Sequence, residues 1–235
     1  MNGLLERLRG GLIVSVQAWE GSALDDPHVI AAMARAAQEG GAVAVRVQGV
    51  ENIAAVRSRV ELPIVGLIKR VYPGFEPYIT PTLHEVAAVI AAGAEIVAFD
   101  ATSRSRPDGL DVAAVVEAIH GAARLAMADC AAAGDARDAR AAGCEIVATT
   151  LCGYTPQTRG RALPALDLVA ELAAMRDDAG NRGPFVVCEG GVHRPDELRA
   201  ALYAGADAVV VGTAITNVDW LVREFAGSAD KVPNR

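Results

Sequence analysis

Short apolar runs rich in valine and isoleucine recur along the whole chain. They are Leu12–Gln17, Ala42–Val47, Pro63–Lys69, Glu95–Asp100, Arg124–Asp129, Glu145–Thr150, Phe185–Glu189 and Ala208–Gly212. They do not alternate polar with apolar positions. Strands buried on both faces read this way, as parallel strands covered by helices do. Between most of them lie alanine-rich segments with helical spacing: Val86, Val89 and Ile90 fall at i, i+3 and i+4, as do Leu198, Ala201 and Leu202. The punctuation agrees. Asp26-Pro27, Thr80-Pro81, Leu163-Pro164 and Arg194-Pro195 put proline at a first helical position, where its missing N–H costs nothing. Thr82 with Glu85 has capping-box spacing, and Gly40, Gly93, Gly143 and Gly205 stand where helices end in a left-handed residue. The second helix, near Val50–Arg59, is expected to be short, and Val71–Ile79 reads as a longer loop.

A repeat runs through these signals. Ala91–Ala98 (AAGAEIVA) closely matches Ala141–Ala148 (AAGCEIVA), Tyr203–Val210 (YAGADAVV) echoes both, and Glu39–Val45 does so more faintly. The copies precede the second, fourth, sixth and eighth runs, so a unit recurs every second strand, as βαβα quarters would. Eight strand–helix pairs in 235 residues average about 29 residues each, close to the minimum for a barrel of typically ~250 residues. The rival, a doubly wound open sheet, has fewer strands and often a GxGxxG in its first turn, which is absent here. No proline-, glycine- or serine-rich linker marks a boundary. The expectation is an α/β fold, a single (β/α)8 TIM barrel over residues 1–225, followed by a polar, frayed tail at 226–235.

Composition narrows the function classes. Hydrophobic residues make up 52% of the chain, which excludes disorder, and no charge-free apolar run approaches the ~20 residues of a membrane span. Lys+Arg 22 against Asp+Glu 29 gives a net charge of −7, which disfavours nucleic acid as a partner. Cys130, Cys144, Cys152 and Cys188 form no CxxC pair; they read as small buried hydrophobes in a reducing cytoplasm. The opening MNGLLERLRGG is too charged and short for a signal peptide. His28, His84, His120 and His193 fall in helices or their entries without HxH or HExxH spacing, so no metal site is expected. Trp19 and Trp220 stand isolated, and Arg104, Arg106, Arg159 and Arg161 read as loop residues on the catalytic side, solvated by default, with anion steering as the alternative role. The 47 alanines leave outer helices that could pack against a second copy as a homodimer.

In such a barrel the chemistry sits at the C-terminal strand ends. Here the runs finish at Gln17, Arg46, Lys69-Arg70, Asp100, Asp129, Thr149-Thr150, Glu189 and Gly212, polar or charged in seven of eight cases. Lys69 ends the third strand and Glu189 the seventh, four apart in a ring of eight and therefore opposed. A lysine and a carboxylate facing each other can address two faces of one carbon, as inversion of a stereocentre by proton removal and return requires. The lysine would have to fall from its ordinary ~10.4. A plain Lys–Glu ion pair is the structural alternative. Gly190-Gly191 and Gly212-Thr213 place small residues after the seventh and eighth strands, where barrels often hold a phosphate by backbone N–H groups.

These residues resemble those of the bacterial N-acetylmannosamine-6-phosphate 2-epimerases, from Gly11 to Phe225. The marks are GLIVSVQA from Gly11, GLIKR from Gly66, YITPT from Tyr78, Asp100-Ala101-Thr102, Met127-Ala128-Asp129, TTLCGYT from Thr149, Glu189-Gly190 and VGTAIT from Val211. The resemblance implies Lys69 and Glu189 as acid and base, with Gln17, Arg46 and Asp129 orienting the open-chain sugar and its N-acetyl group. It implies interconversion of N-acetylmannosamine 6-phosphate and N-acetylglucosamine 6-phosphate in sialic-acid catabolism, with no metal or organic cofactor. The chain departs from the family's habit at Asn217, where an arginine usually reaches the phosphate, at Thr213 for a second glycine, at Val71 for an acidic residue, and at Ala131-Ala132 for hydroxyl residues. Two alternatives keep the same pocket: an epimerase of a different sugar phosphate, and a sugar-phosphate sensor without turnover.

Overall fold

The computed structural model describes residues 2–176 and 183–229. Its strands are β1 (Gly11–Val16), β2 (Ala44–Gln48), β3 (Ile64–Leu67), β4 (Ile96–Asp100), β5 (Leu125–Asp129), β6 (Ile146–Ala148), β7 (Phe185–Glu189) and β8 (Ala208–Val211). They pair in parallel, each with the next, and β8 returns to β1 to close a barrel. This is the expected (β/α)8 architecture. The missing sequence alternation is present in space. Val14, Val45, Val97 and Val209 belong to the layer between strands and helices, whereas Ile13, Val65, Ile96 and Val187 fill the barrel interior. Both sets are apolar, so the period of two is invisible until the strand ends turn polar. At Gly66 the outer layer is so close that an added Cβ would lie 2.6 Å from Ala94 Cβ.

The helices are α1 (Asn2–Leu8), α2 (Pro27–Glu39), α3 (Val50–Arg57), α4 (Leu83–Ala91) and α5 (Val112–Gly121). After them come α6 (Ala133–Ala141), α7 (Leu166–Ala173), α8 (Pro195–Tyr203), α9 (Thr213–Thr216) and α10 (Val218–Ala229). Pro27 and Pro195 open helices, and the Asp26 carboxylate caps α2 by accepting from His28 N at 2.7 Å. Pro81 and Pro164 do not open theirs. The Thr82–Glu85 capping box sets the start of α4 beyond Pro81, and a turn with Leu166 N donating to Pro164 O (2.9 Å) precedes α7. The left-handed residue after α2 is Gly41 (φ 92°) rather than Gly40, whose N–H still donates to Ala36 O within the last turn.

Two ends differ from expectation. Helix α1, which is not among the expected elements, buries Leu8 completely in the barrel interior, with Leu4 and Leu5 packed beside it. It plugs the N-terminal mouth, and Arg9 just beyond it pairs with Asp207 on the approach to β8. At the other end α10 continues to Ala229, overlapping the expected tail; Asn217 caps it and no proline interrupts it. Residues 230–235 lie outside the described residues. Among the described residues, no helix is long and apolar enough to cross a membrane, and the four cysteines are buried and free.

Candidate active site

Continuing the inward register past the apolar layer leads to Ser15 and Gln17 on and after β1, Arg46 on β2, Lys69 beyond β3, Asp129 on β5, Thr150 beyond β6 and Glu189 on β7. Arg46 is the organising group. It is 1% exposed, and its Nη1 and Nη2 donate to Asp129 Oδ1 (3.1 Å) and Oδ2 (2.6 Å) in a two-pronged pair. The same Nη1 lies 3.1 Å from Glu189 Oε2, so one guanidinium holds carboxylates from two strands. Burial alone would lower its pKa, but Asp129 and Glu189 more than offset this and hold it above the ordinary value.

Two consecutive threonines fix Glu189. The Thr149 hydroxyl accepts from Glu189 N (3.0 Å) and donates to Glu189 O (2.9 Å). The Thr150 hydroxyl lies 2.6 Å from Asp129 Oδ1 and 3.2 Å from Glu189 Oε2. Burial pushes the Glu189 carboxyl up, Arg46 draws it back and the Asp129 charge adds to the rise, leaving it at about 7.

Lys69 approaches from the opposite wall. The 71–79 loop folds back on the strand end: Lys69 bridges Ile79, Arg70 N donates to Tyr78 O (2.8 Å) and Thr80 N to Ile68 O (2.7 Å). Thr80 sits at φ 43°, fully buried, its hydroxyl donating to Ala98 O at 2.6 Å. The Lys69 side chain is exposed to the cavity. The protein around it desolvates the ammonium and the nearby Arg46 charge repels it, so its pKa is lowered despite Glu189 and Asp129. Among the described residues, no carboxylate comes within ion-pair distance of Lys69; Glu189 pairs with Arg46 instead. The plain Lys–Glu bridge is not what these two residues form.

Lys69 and Glu189 border one cavity of about 260 Å³, together with Gln17, Arg46 and Tyr78. Gln17 Nε2 donates to Ser15 Oγ (2.9 Å), leaving its buried Oε1 without a partner among the described residues. Gly190, Gly191, Gly212 and Thr213 line the same cavity. Gly190 and Gly191 adopt φ of 106° and 74°, and a side chain at Gly191 would collide with Leu163. Asn217 also borders the cavity, but its Oδ1 accepts from Trp220 N (2.9 Å) as the cap of α10.

Some placements correct the sequence reading. Asp129 is fully buried behind Arg46, off the cavity wall, and meets Arg46 and Thr150 rather than a ligand. Asp100 is also buried, bound by Thr102 (2.6 Å) and Arg104 (2.6 Å). Arg106 is not a solvated loop residue: it is 5% exposed and donates to Asp100 O and Thr80 O, both at 2.7 Å. His193 follows β7 on the cavity wall, and Trp220 is not isolated, because the two rings stack at 5.3 Å. Trp19 lines the mouth as well. Nothing local in the sequence signals that pairing, since the rings come from a loop and a helix 27 residues apart. Val71 is exposed, at 79%.

Comparison with known proteins agrees with this fold. A family described as "Putative N-acetylmannosamine-6-phosphate epimerase" matches residues 30–231. Relatives bearing the corresponding 2-epimerase name include one from Cutibacterium acnes, 44% identical and covering 92% of this chain and 94% of its own. Another, from Caldanaerobacter subterraneus, is 42% identical and covers 94% and 92%. The solved N-acetylmannosamine-6-phosphate 2-epimerase from Clostridium perfringens superposes with a TM-score of 0.89 at 39% identity, over 96% of each chain. A thiamine phosphate pyrophosphorylase from Pyrococcus furiosus, at 15% identity and a TM-score of 0.60, shares the fold alone.

Proposed function

This chain belongs to the N-acetylmannosamine-6-phosphate epimerase family, and from that premise we propose that Lys69 and Glu189 are its acid and base. It is an isomerase, a 2-epimerase of N-acetylmannosamine 6-phosphate that forms N-acetylglucosamine 6-phosphate in amino-sugar catabolism. C2 of the open-chain sugar lies next to the C1 carbonyl. When one group takes its proton, the electron pair moves onto the carbonyl oxygen as an enolate. A proton delivered to the other face re-forms the C–H bond with inverted configuration.

One observation carries the assignment: a lysine with a lowered pKa and a glutamic acid raised to about 7 border one cavity from opposed strands. Brought toward each other, the two pKa values let either group hold the single proton, as a reversible reaction near neutral pH needs. Acid and base both come from the chain, so the reading calls for no cofactor. Gln17 Oε1 is suited to accept a hydrogen bond from the sugar, Arg46 orients Glu189, and Asp129 acts through Arg46. Gly190, Gly191, Gly212 and Thr213 offer backbone N–H groups and one hydroxyl to the phosphate. We further read residues 1–225 as one catalytic domain, the protein as cytoplasmic on its free buried cysteines, and its alanine-rich outer helices as a homodimer surface.

The test is proton exchange at C2 of N-acetylmannosamine 6-phosphate in deuterated water, followed by NMR. Deuterium at C2 with appearance of the gluco epimer is expected. Binding without exchange would favour a sensor. Exchange confined to another sugar phosphate would mean that Asn217, engaged in capping α10, marks a changed specificity.

A further inference from the structure

We propose that Thr80 is a positioning residue for Lys69: it fixes the register of the short ribbon formed by residues 68–70 and 78–80, so that Lys69 rather than Arg70 faces the cavity. The role in turnover rests on the reading of Lys69 above; the geometry does not. Thr80 adopts φ 43°, a left-handed conformation that a β-branched residue rarely takes. It also precedes Pro81, a place that ordinarily holds an extended residue. Such a conformation persists only where the surroundings over-determine it. Here they do. Thr80 is fully buried, and its N donates to Ile68 O (2.7 Å). Its Oγ1 accepts from Ile68 N (3.2 Å) and donates to Ala98 O (2.6 Å), while its O accepts from Arg106 Nη2 (2.7 Å). Arg106, itself buried, also donates from Nη1 to Asp100 O (2.7 Å), and Asp100 N donates to Ile79 O (2.9 Å). The 78–80 arm is thereby fastened to the end of β4, and the end of β3 is fastened to that arm.

The need for such a device follows from the two cations, Lys69 and Arg70, that stand side by side beyond β3. Adjacent residues of an extended ribbon face opposite sides, so a slip of one position exchanges them. In the observed register Lys69 bridges Ile79 and borders the cavity. Arg70 N donates to Tyr78 O (2.8 Å), and its half-exposed side chain pairs with Glu85 Oε1 on α4 (2.8 Å). An arginine in the cavity would keep its proton and could not serve as a base. The backbone ladder across the ribbon rests on two bonds, Arg70 N to Tyr78 O and Thr80 N to Ile68 O. The Thr80 hydroxyl adds one bond to the β3 end and one to β4, and these hold the register that the ladder sets.

Thr80→Ala removes the hydroxyl without crowding Ala98, and Thr80→Ser keeps it. Two readouts are taken: turnover of N-acetylmannosamine 6-phosphate, and titration of Lys69 by 13C NMR in the lysine-labelled, unliganded protein. The chain holds two lysines, Lys69 and Lys231, so Lys69→Ala assigns the signals. The alanine variant is expected to lose about 100-fold in kcat, the scale of a misplaced reacting group, with KM within about twofold. Its Lys69 titration moves up toward the ordinary ~10.4. The ammonium then leaves the desolvating wall and the Arg46 charge, which in the wild type outweigh Glu189 and Asp129. The serine variant returns both. A loss of stability alone, with kcat and the Lys69 titration unchanged, would overturn the assignment, as would a serine variant that fails to recover. Should the alanine variant not fold, Arg106→Lys, which reaches only one of the two carbonyls, is expected to move both readouts the same way, and no movement there overturns the assignment too. A wild-type protein that binds but does not turn over this sugar, with the titration shift present in the alanine variant, faults the substrate reading and leaves the positioning role standing. An active wild type matched by the alanine variant faults the positioning role alone.

Discussion

The two ends of the barrel interior continue one inward-facing register and differ in what fills it. Toward the N-terminal ends, Ile13, Val65, Ile96, Leu125 and Phe185 meet Leu8 from α1 in a closed apolar layer. One or two inward positions further along the strands stand Arg46, Lys69, Asp129, Thr150 and Glu189. The apolar layer is stabilised by burial itself. The polar layer is tolerated because most of its members hold one another: Arg46 answers two carboxylates, and each carboxylate finds Thr150. Lys69 is the exception, a cation at the cavity with no ion pair among the described residues. Stability and the proposed chemistry are thus separated along one axis a few residues long, and the residue left unpaired is one of the two proposed as acid and base.

That separation can be broken most severely at Lys69. Lys69→Ala is expected to lower kcat by about 1000-fold or more, the upper range of general acid–base catalysis. Its melting temperature should stay near the wild-type value, because no ion pair is lost. Residual activity close to wild type, measured with the same exchange assay, would remove Lys69 from the chemistry.

The opposite end gives the complementary result. Leu8→Ala deletes a fully buried side chain and is expected to cost about 2–4 kcal/mol in urea unfolding, with kcat/KM unchanged. A loss of activity without a loss of stability would show that the plug serves the site rather than the core.

A smaller effect sharpens the contrast within the polar layer. The Glu189 carboxyl titrates at about 7 in the folded chain, above the ordinary ~4.3. Between these values the folded state binds the extra proton, so stability falls as pH rises through that window. Glu189→Gln removes this dependence. It should melt a few degrees above wild type at pH 8 and converge with it near pH 4, in keeping with a site that trades stability for function. Parallel melting curves across that range would contradict the raised pKa.

The sequence made the barrel legible because its evidence is local and repeated. Eight apolar runs, proline and glycine at helix ends, and a unit recurring before every second strand are each short-range signals. The corrections arise where a signal depends on a partner. Pro81 lost the helix start to the four-residue Thr82–Glu85 box, and Gly40 yielded its left-handed role to Gly41 because one more helical bond could form. Helix α1 carries Leu4, Leu5 and Leu8 at helical spacing over only two turns, and only the open barrel mouth explains why Leu8 is buried.

For the site, residue types and strand ends were enough to single out Lys69, Glu189, Arg46 and Gln17, because strand order alone fixes which ends face each other. Tertiary structure decided the rest. It put Asp129 behind Arg46, turned Arg106 into a buried brace, stacked His193 on Trp220, and gave Thr149 and Thr150 opposite ends of one glutamate. The reason is physical. Fold class follows from periodicity and punctuation, which a chain carries in its own neighbours. Which hydroxyl or guanidinium meets which carboxylate depends on angstrom-scale distances between segments far apart in sequence, and those exist only once the barrel has closed.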